Sequence, residues 1–270
     1  EGMESLTPEV IRQALKDPVA GIRENALKLA EMHMGNSPVL INSLLAMQND
    51  SNAKVRFQLL LTLGSVSTSA AEQVRNKLLF RDIDDKWVQI AALSAASSQS
   101  GSLLPLVLKN YKADSPSYGS LVRRLTTMTG ASGNKAAIHK LIQQATDLKN
   151  KNAWQGAVLD GLSEGLRNNK EKSAINDEQA LLVKTFFDHP AGGVREGALR
   201  LLKVTGITDS ALARSSVQKA AKLAADKSGS NEKRADATAF IGLKNPVLYT
   251  EELKNLIGSQ EHPLIQLAAL

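Results

Sequence analysis

Apolar runs recur along this chain, each opened by a polar side chain. Arg23, Arg56, Gln89, Arg123, Gln155, Arg195 and Arg234 open seven of them and Gln266 an eighth, at spacings of 33, 33, 34, 32, 40, 39 and 32 residues. A self-similar period of this length predicts stacked units, each too small to bury its own apolar face without its neighbours. Function is then expected on an extended surface rather than in one preformed pocket.

The first unit predicts a helix pair. Residues 7–17, TPEVIRQALKD, place Thr7 as N-cap and Pro8 at the first helical position, where its missing amide hydrogen would be unsatisfied anyway. Asp17-Pro18 breaks the chain, and a second helix follows in which Ile22, Ala26, Leu29 and Ala30 recur at helical spacing. The same stripe returns as Val55, Leu59 and Leu63. Aligned on the opener, Ile22, Val55, Val88, Val122, Val194 and Ile265 stand one residue before it. Three residues after it stand Ala26, Leu59, Ala92, Val158, Ala198, Ala237 and Ala269. Small Ala lets neighbouring helices approach, and Thr126 interrupts that column, so the fourth unit is expected to be the looser one.

These elements predict an all-α chain, an α-α superhelix of about eight helix pairs forming one array over residues 1–270. Residues 166–178 and 225–233 predict longer surface loops, and Ser/Gly breaks at 97–102 and 129–135 separate the third, fourth and fifth units. The sequence ends at EHPLIQLAAL, partway through the second helix of an eighth unit, whereas arrays end on a unit with a polar outer face. More protein is therefore expected beyond Leu270.

Composition narrows the packing. The hydrophobic fraction of 43% includes only 4% aromatics, so Leu, Ala, Val and Ile build the interfaces. The absence of cysteine excludes disulfides, thiolate metal sites, a Cys nucleophile and a thioether-linked haem within these residues. No run of 18 apolar residues occurs, so no membrane span is expected, and EGMESLTPEV has neither the basic nor the apolar region of a signal peptide. The net charge of +6 divides evenly: residues 1–135 carry 15 basic and 12 acidic side chains, and the rest 18 and 15. An interspersed excess predicts a solvated surface more than a phosphate track, which disfavours nucleic acid as the partner.

A helix, an Asp-Pro or Asp-rich turn and then Val-Arg-x-x-Ala/Leu recur in DPVAGIRENAL (17–27), DSNAKVRFQLL (50–60), DDKWVQIAAL (84–93) and DHPAGGVREGAL (188–199). This pattern resembles HEAT repeats. The resemblance implies a structural ladder between successive units made by Asp17, Asp50 and Asp84 with Arg23, Arg56 and Arg195. Gln89, Gln155 and Gln266 depart from Arg, which puts an ionic rung in doubt at those units. Residues 24–64, WVQIAALSAASS (87–98) and HPLIQLAAL (262–270) also look like the HEAT region of bacterial secreted dehydrogenase-like proteins, between a propeller domain and a c-type haem domain. That likeness implies a periplasmic or cell-envelope spacer, with the redox residues in flanking domains and no cofactor in this segment.

The residues themselves offer little catalytic chemistry. His33, His139, His189 and His262 form no i, i+4 pair and have no acidic partner at ligand spacing, so no metal or catalytic triad is expected. His189 and His262 precede prolines and read as turn or cap residues. Gly192-Gly193 lacks the Lys-Ser/Thr of a phosphate loop. Trp87 and Trp154 stand beside openers, and Trp154 with Asp160, Arg123 and Arg124 is similar to the set with which HEAT-like DNA glycosylases cradle a duplex. The plainer expectation is that both Trp side chains fill the core between units.

By register, Lys28, Gln58, Arg124 and Arg200 face solvent on the second helices, which line the concave side in HEAT arrays, and are the binding-surface candidates. The function expected is a non-catalytic, monomeric interaction or spacer module whose partner is a protein or neighbouring domains of the same chain. The alternatives are an autonomous nucleic-acid-binding protein or DNA glycosylase, and a cytoplasmic protein adaptor.

Overall fold

The computed structural model describes residues 6–95, 100–149, 152–167, 172–243 and 249–270. Among these residues the chain is all-α, with sixteen α-helices packed in series and no strand. It divides into two compact units, Glu1–Lys109 and Asn110–Leu270.

The first unit holds α1 (Pro8–Ala14), α2 (Ala20–Ala30), α3 (Pro38–Ala46), α4 (Ala53–Thr62), α5 (Ser69–Arg81), α6 (Lys86–Ala95) and α7 (Ser100–Lys109). Helices α1, α3 and α5 form one layer and α2, α4 and α6 a second. Their starts follow from local chemistry. Thr7 Oγ1 accepts from the Val10 amide, Ser37 Oγ from that of Leu40, and Thr68 Oγ1 from that of Ala71. Asp17, Asp50 and Asp85 each accept from the amide two residues on, turning the chain into the second-layer helix.

The second unit holds α8 (Pro116–Ala131), α9 (Lys135–Ala145), α10 (Gln155–Arg167), α11 (Gln179–Asp188), α12 (Gly192–Thr205), α13 (Ser210–Ala225), α14 (Asn231–Ile241), α15 (Thr250–Ile257) and α16 (Pro263–Ala269). Helices α8, α10, α12, α14 and α16 follow one another in one layer, and α9, α11, α13 and α15 pack against them as the other. Residues 226–230 form the exposed loop expected there. The stretch at 166–178 differs: Lys172–Glu178 is a 3-10 helix against α9 and α11, with Ile175 and Glu178 buried. Of the Ser/Gly break at 97–102, residues 97–99 lie outside the described residues, and Ser100 already begins α7.

The apolar columns form the core. Ala26, Leu59, Ala92, Val158, Ala198 and Ala237 are all buried. Val55, Val88, Val194 and Ile265 are buried too, whereas Ile22 is 43% exposed.

Two expectations about the fourth unit need correction. Arg123 is exposed, and the buried opener position of α8 belongs to Tyr118: Tyr118, Leu121, Val122 and Leu125 repeat the buried spacing of Arg56, Leu59, Leu60 and Leu63. Nor is this unit loose. Thr126 is fully buried with its hydroxyl bonded to the Val122 and Arg123 carbonyls, and it lies against Gly161 of α10. A methyl on Gly161 would overlap Thr126 Oγ1 and the Arg123 carbonyl, and one on Gly165 would overlap the Thr127 carbonyl and approach Gly130 Cα at 2.8 Å. Glycine therefore allows α8 and α10 to touch backbone to backbone.

Candidate functional site

The opener side chains make two kinds of contact. Arg23 Nη1 donates to the Asp17 and Pro18 carbonyls at 2.8 and 3.0 Å, while its Nε and Nη2 grip Asp50 at 2.7 and 2.9 Å. Arg56 repeats this on the Asp50 and Ser51 carbonyls, both at 2.9 Å, and on Asp82, both at 2.7 Å. Arg195 donates to the His189 and Pro190 carbonyls and to Asp236 Oδ2 at 3.3–3.4 Å. Arg234 takes the Ala224 carbonyl and, at 2.8 Å, Glu261. The planar guanidinium can do both because it carries five donors in a fixed fork.

Glutamine keeps the first contact. Gln89 donates to the Ile83 carbonyl, Gln155 to that of Asp147, and Gln266 to those of Ile257 and Gly258. One expected ladder member is corrected: the partner of Arg56 is Asp82, two residues before Asp84. The partner of Arg195, Asp236, lies on helix α14 rather than in a turn.

The rungs differ electrically. Burial acts to raise the Asp50 carboxyl, but the Arg23 fork, the Asn52 amide and the charges of Arg23 and Arg56 together hold it below its ordinary value. At Asp236 burial prevails over the longer contacts to Arg195, with Glu196 and Glu232 adding repulsion, and the carboxyl is pushed up.

The surface candidates separate. Lys28 is exposed and pairs with Glu24 at 2.8 Å, one helical turn back. Gln58 is buried, not solvent-facing: its Nε2 donates to Glu31 and to Thr62 Oγ1, and Thr62 donates to Glu31 at 2.8 Å, a polar strut between α2 and α4. Arg124 is half-buried, its Nε without a hydrogen-bond partner. Arg200 donates to Asp160 at 2.8 Å and to Glu196 at 3.4 Å.

Asp160 is also reached by Arg123 at 3.3 Å, so it sits between two guanidiniums on the α8–α10–α12 layer. Thr127 donates to Glu164 beside it. Basic and acidic side chains alternate here, and the carboxylate is shared between cations rather than left open to a substrate. The tryptophans do not fill the core as expected. Trp87 is 58% exposed, with Lys86 Nζ 5.3 Å from its ring centroid, and Trp154 is half-buried.

One contact has no signal in the local sequence. His139 Nδ1 meets the buried carboxylate of Glu178, 39 residues away, and Gln143 Nε2 lies 2.7 Å from the other ring nitrogen. Glu178 Oε2 is buried without a partner. His189 and His262 accept from the amides of Ala191 and Leu264, as turn residues do. Among the described residues no three His, Cys, Asp or Glu side chains cluster closely enough to hold a metal ion, and no helix is long and apolar enough to cross a membrane.

Two recesses of the second unit lie between helices of its other layer. In the second unit a cleft of about 320 Å³ between α9 and α11 is lined by Asp147, Leu148, Lys149, Leu181 and Lys184 among others. Another of about 320 Å³, between α11 and α13, is lined by Lys184, Phe187, Leu212 and Lys219. The first unit has a groove of about 430 Å³ between α1 and α3, with Arg12 and Lys16 at its rim. No protein-family model and no curated protein matches the chain.

Proposed function

We propose that this chain is a HEAT-type helical array acting as a non-catalytic binding or spacer module, which engages a partner protein or neighbouring domains of its own polypeptide. The supporting observation is the division of labour between buried and exposed positions. The opener contacts and the Ala/Leu column recur from pair to pair. The position five residues after the opener changes each time: Lys28, Leu61 and Ser94 in the first unit, Asp160, Arg200 and Ala239 in the second. A constant scaffold carrying variable surface positions suits a solenoid that binds along its length.

The more specific assignment, a periplasmic or envelope spacer between a sugar-dehydrogenase-like propeller and a c-type haem domain, rests on the resemblance in residues 24–64, 87–98 and 262–270. No redox group is required of these 270 residues under it.

Two measurements on the native full-length protein test the proposal. Photo-crosslinking from exposed positions of both helix layers is expected to join the chain to polypeptide, either a partner or its own flanking domains; a chain that crosslinks to none sinks the module assignment. Haem staining of the polypeptide recognised by an antibody to this segment tests the spacer assignment. A polypeptide without covalent haem removes it.

A further inference from the structure

The even charge along the sequence conceals a segregation between layers. In the second unit, α9, α11 and α13 carry Lys135, Lys140, Lys184, Arg214, Lys219 and Lys222 against one carboxylate within these helices, Asp188; Asp147 lies in the loop after α9, and α15 of the same layer adds Glu251 and Glu252 against Lys254. The opposite layer cancels much of its own charge through Arg123–Asp160, Arg200–Asp160, Arg200–Glu196 and Arg195–Asp236. Helices alternate between layers along the chain, so counting by sequence halves averages the two surfaces.

Two clefts border these three helices. Lys184 stands on the rim of both clefts, with Lys149 across the first and Lys219 across the second. Lys219 Nζ lies 4.3 Å from the Phe187 ring centroid and 3.6 Å from Asp188, which fixes it beside the second cleft. Apolar side chains remain accessible: Leu148 is 37% exposed and Leu223 39%, and Leu181, Phe187 and Leu212 are half-buried.

We propose that the α9–α11–α13 layer docks an acidic protein segment whose bulky apolar side chains enter the two clefts while its carboxylates meet Lys149, Lys184 and Lys219. This deepens the binding-module proposal and rests on it. The chemistry selects among polyanions. A nucleic-acid backbone offers charge but no aliphatic groups for clefts floored by Leu and Phe, and anionic lipid needs protruding rather than recessed apolar groups. Apolar anchors in pockets with a complementary charged rim are what an amphipathic acidic peptide provides.

The test is fluorescence anisotropy with the intact chain and a labelled peptide of Glu with Leu and Phe at helical spacing. Two further probes are a single-stranded oligonucleotide and phosphatidylserine vesicles. The peptide is expected to bind in a salt-sensitive manner, and Lys184→Glu to weaken it about tenfold or more, while Lys54→Glu, at an exposed position of the other unit, leaves it unchanged. Lys149→Glu on the outer rim serves as the second variant should Lys184→Glu fail to fold by circular dichroism. No peptide binding, equal losses from Lys54→Glu and Lys184→Glu, or tighter Lys184-dependent binding of oligonucleotide or vesicles overturns the docking proposal. Crosslinks confined to the α8–α10–α12 layer would overturn it as well while leaving the module proposal standing.

Discussion

Arg56 holds Asp82 in a two-pronged fork, Nε to Oδ2 and Nη2 to Oδ1, both at 2.7 Å, while its remaining terminal nitrogen caps the Asp50 and Ser51 carbonyls. One side chain thus closes the turn before its own helix and reaches the turn before the next. Asp50, whose carbonyl it caps, is itself held by Arg23. Consecutive helix pairs are tied through the same few atoms, so the angle between them is set by guanidinium geometry as well as by apolar packing.

Replacing Arg56 separates the two contacts. Arg56→Gln is expected to behave like the native Gln89, retaining a turn bond and costing about 1–2 kcal/mol. Arg56→Ala strands Asp82 and two carbonyls in a partly buried site and is expected to cost about 3 kcal/mol or more. Urea unfolding of the two variants checks the order, and equal losses would mean that turn closure contributes nothing.

Gly161→Ala places a methyl where Thr126 Oγ1 and the Arg123 carbonyl already stand. Because the second obstacle is backbone, α8 and α10 must move apart, at an expected cost of about 3 kcal/mol. Thr126→Ala removes the side-chain obstacle, hydroxyl and γ-methyl together, but not the Arg123 carbonyl, and is expected to rescue less than half of the loss. Full rescue in a thermal melt would show that the backbones are not in close contact.

Periodicity makes the repeated scaffold legible because burial imposes it. The openers other than that of α8, the Ala/Leu column and the cap at Thr7 are readable from residue type and spacing. What escapes is whatever depends on distant chain. Asp82 and Asp84 stand equally well in the turn, and only the approach of α4 decides that Arg56 takes the former. Tyr118 hides as an opener because it is aromatic and sits one turn ahead of a more conspicuous Arg123. Gly161 and Gly165 read as weak helix positions until α8 is seen against them. The binding-surface candidates fail in part for a related reason: the register places Gln58 on a face that Glu31 of the neighbouring helix covers.

The two carboxylate rungs are expected to respond oppositely to acid. Asp50 lies below its ordinary value of 3.8, so its contribution is fully present above about that pH and is lost as pH falls through its lower folded value. Asp236 lies above 3.8, so the folded state takes up its proton first, and acidification through that higher value stabilises the α12–α14 rung relative to neutral pH. Local hydrogen exchange reads the rungs separately. Asp50→Asn is expected to lose its effect on α2 and α4 in acid, whereas the advantage of the native chain over Asp236→Asn grows as pH drops toward 4. A common trend in both places would refute the assignment.

The tryptophans offer a check on which side of each helix faces water. Trp87 begins α6 with more than half of its surface exposed, and Lys86 lies over its ring, whereas Trp154 precedes α10 and is half-buried. An indole in water emits further to the red and meets a dissolved quencher more often than one packed against protein. Trp154→Phe leaves Trp87 as the sole indole, and its emission is expected to be red-shifted and strongly quenched by acrylamide. Trp87→Phe leaves Trp154, with bluer and better protected emission. Because Trp87 makes little core contact, its replacement is expected to change stability by less than about 0.5 kcal/mol, as for other surface positions. If both single-Trp chains emit alike and resist quenching, Trp87 is covered in solution, and the exposed end of α6 is itself in contact with protein.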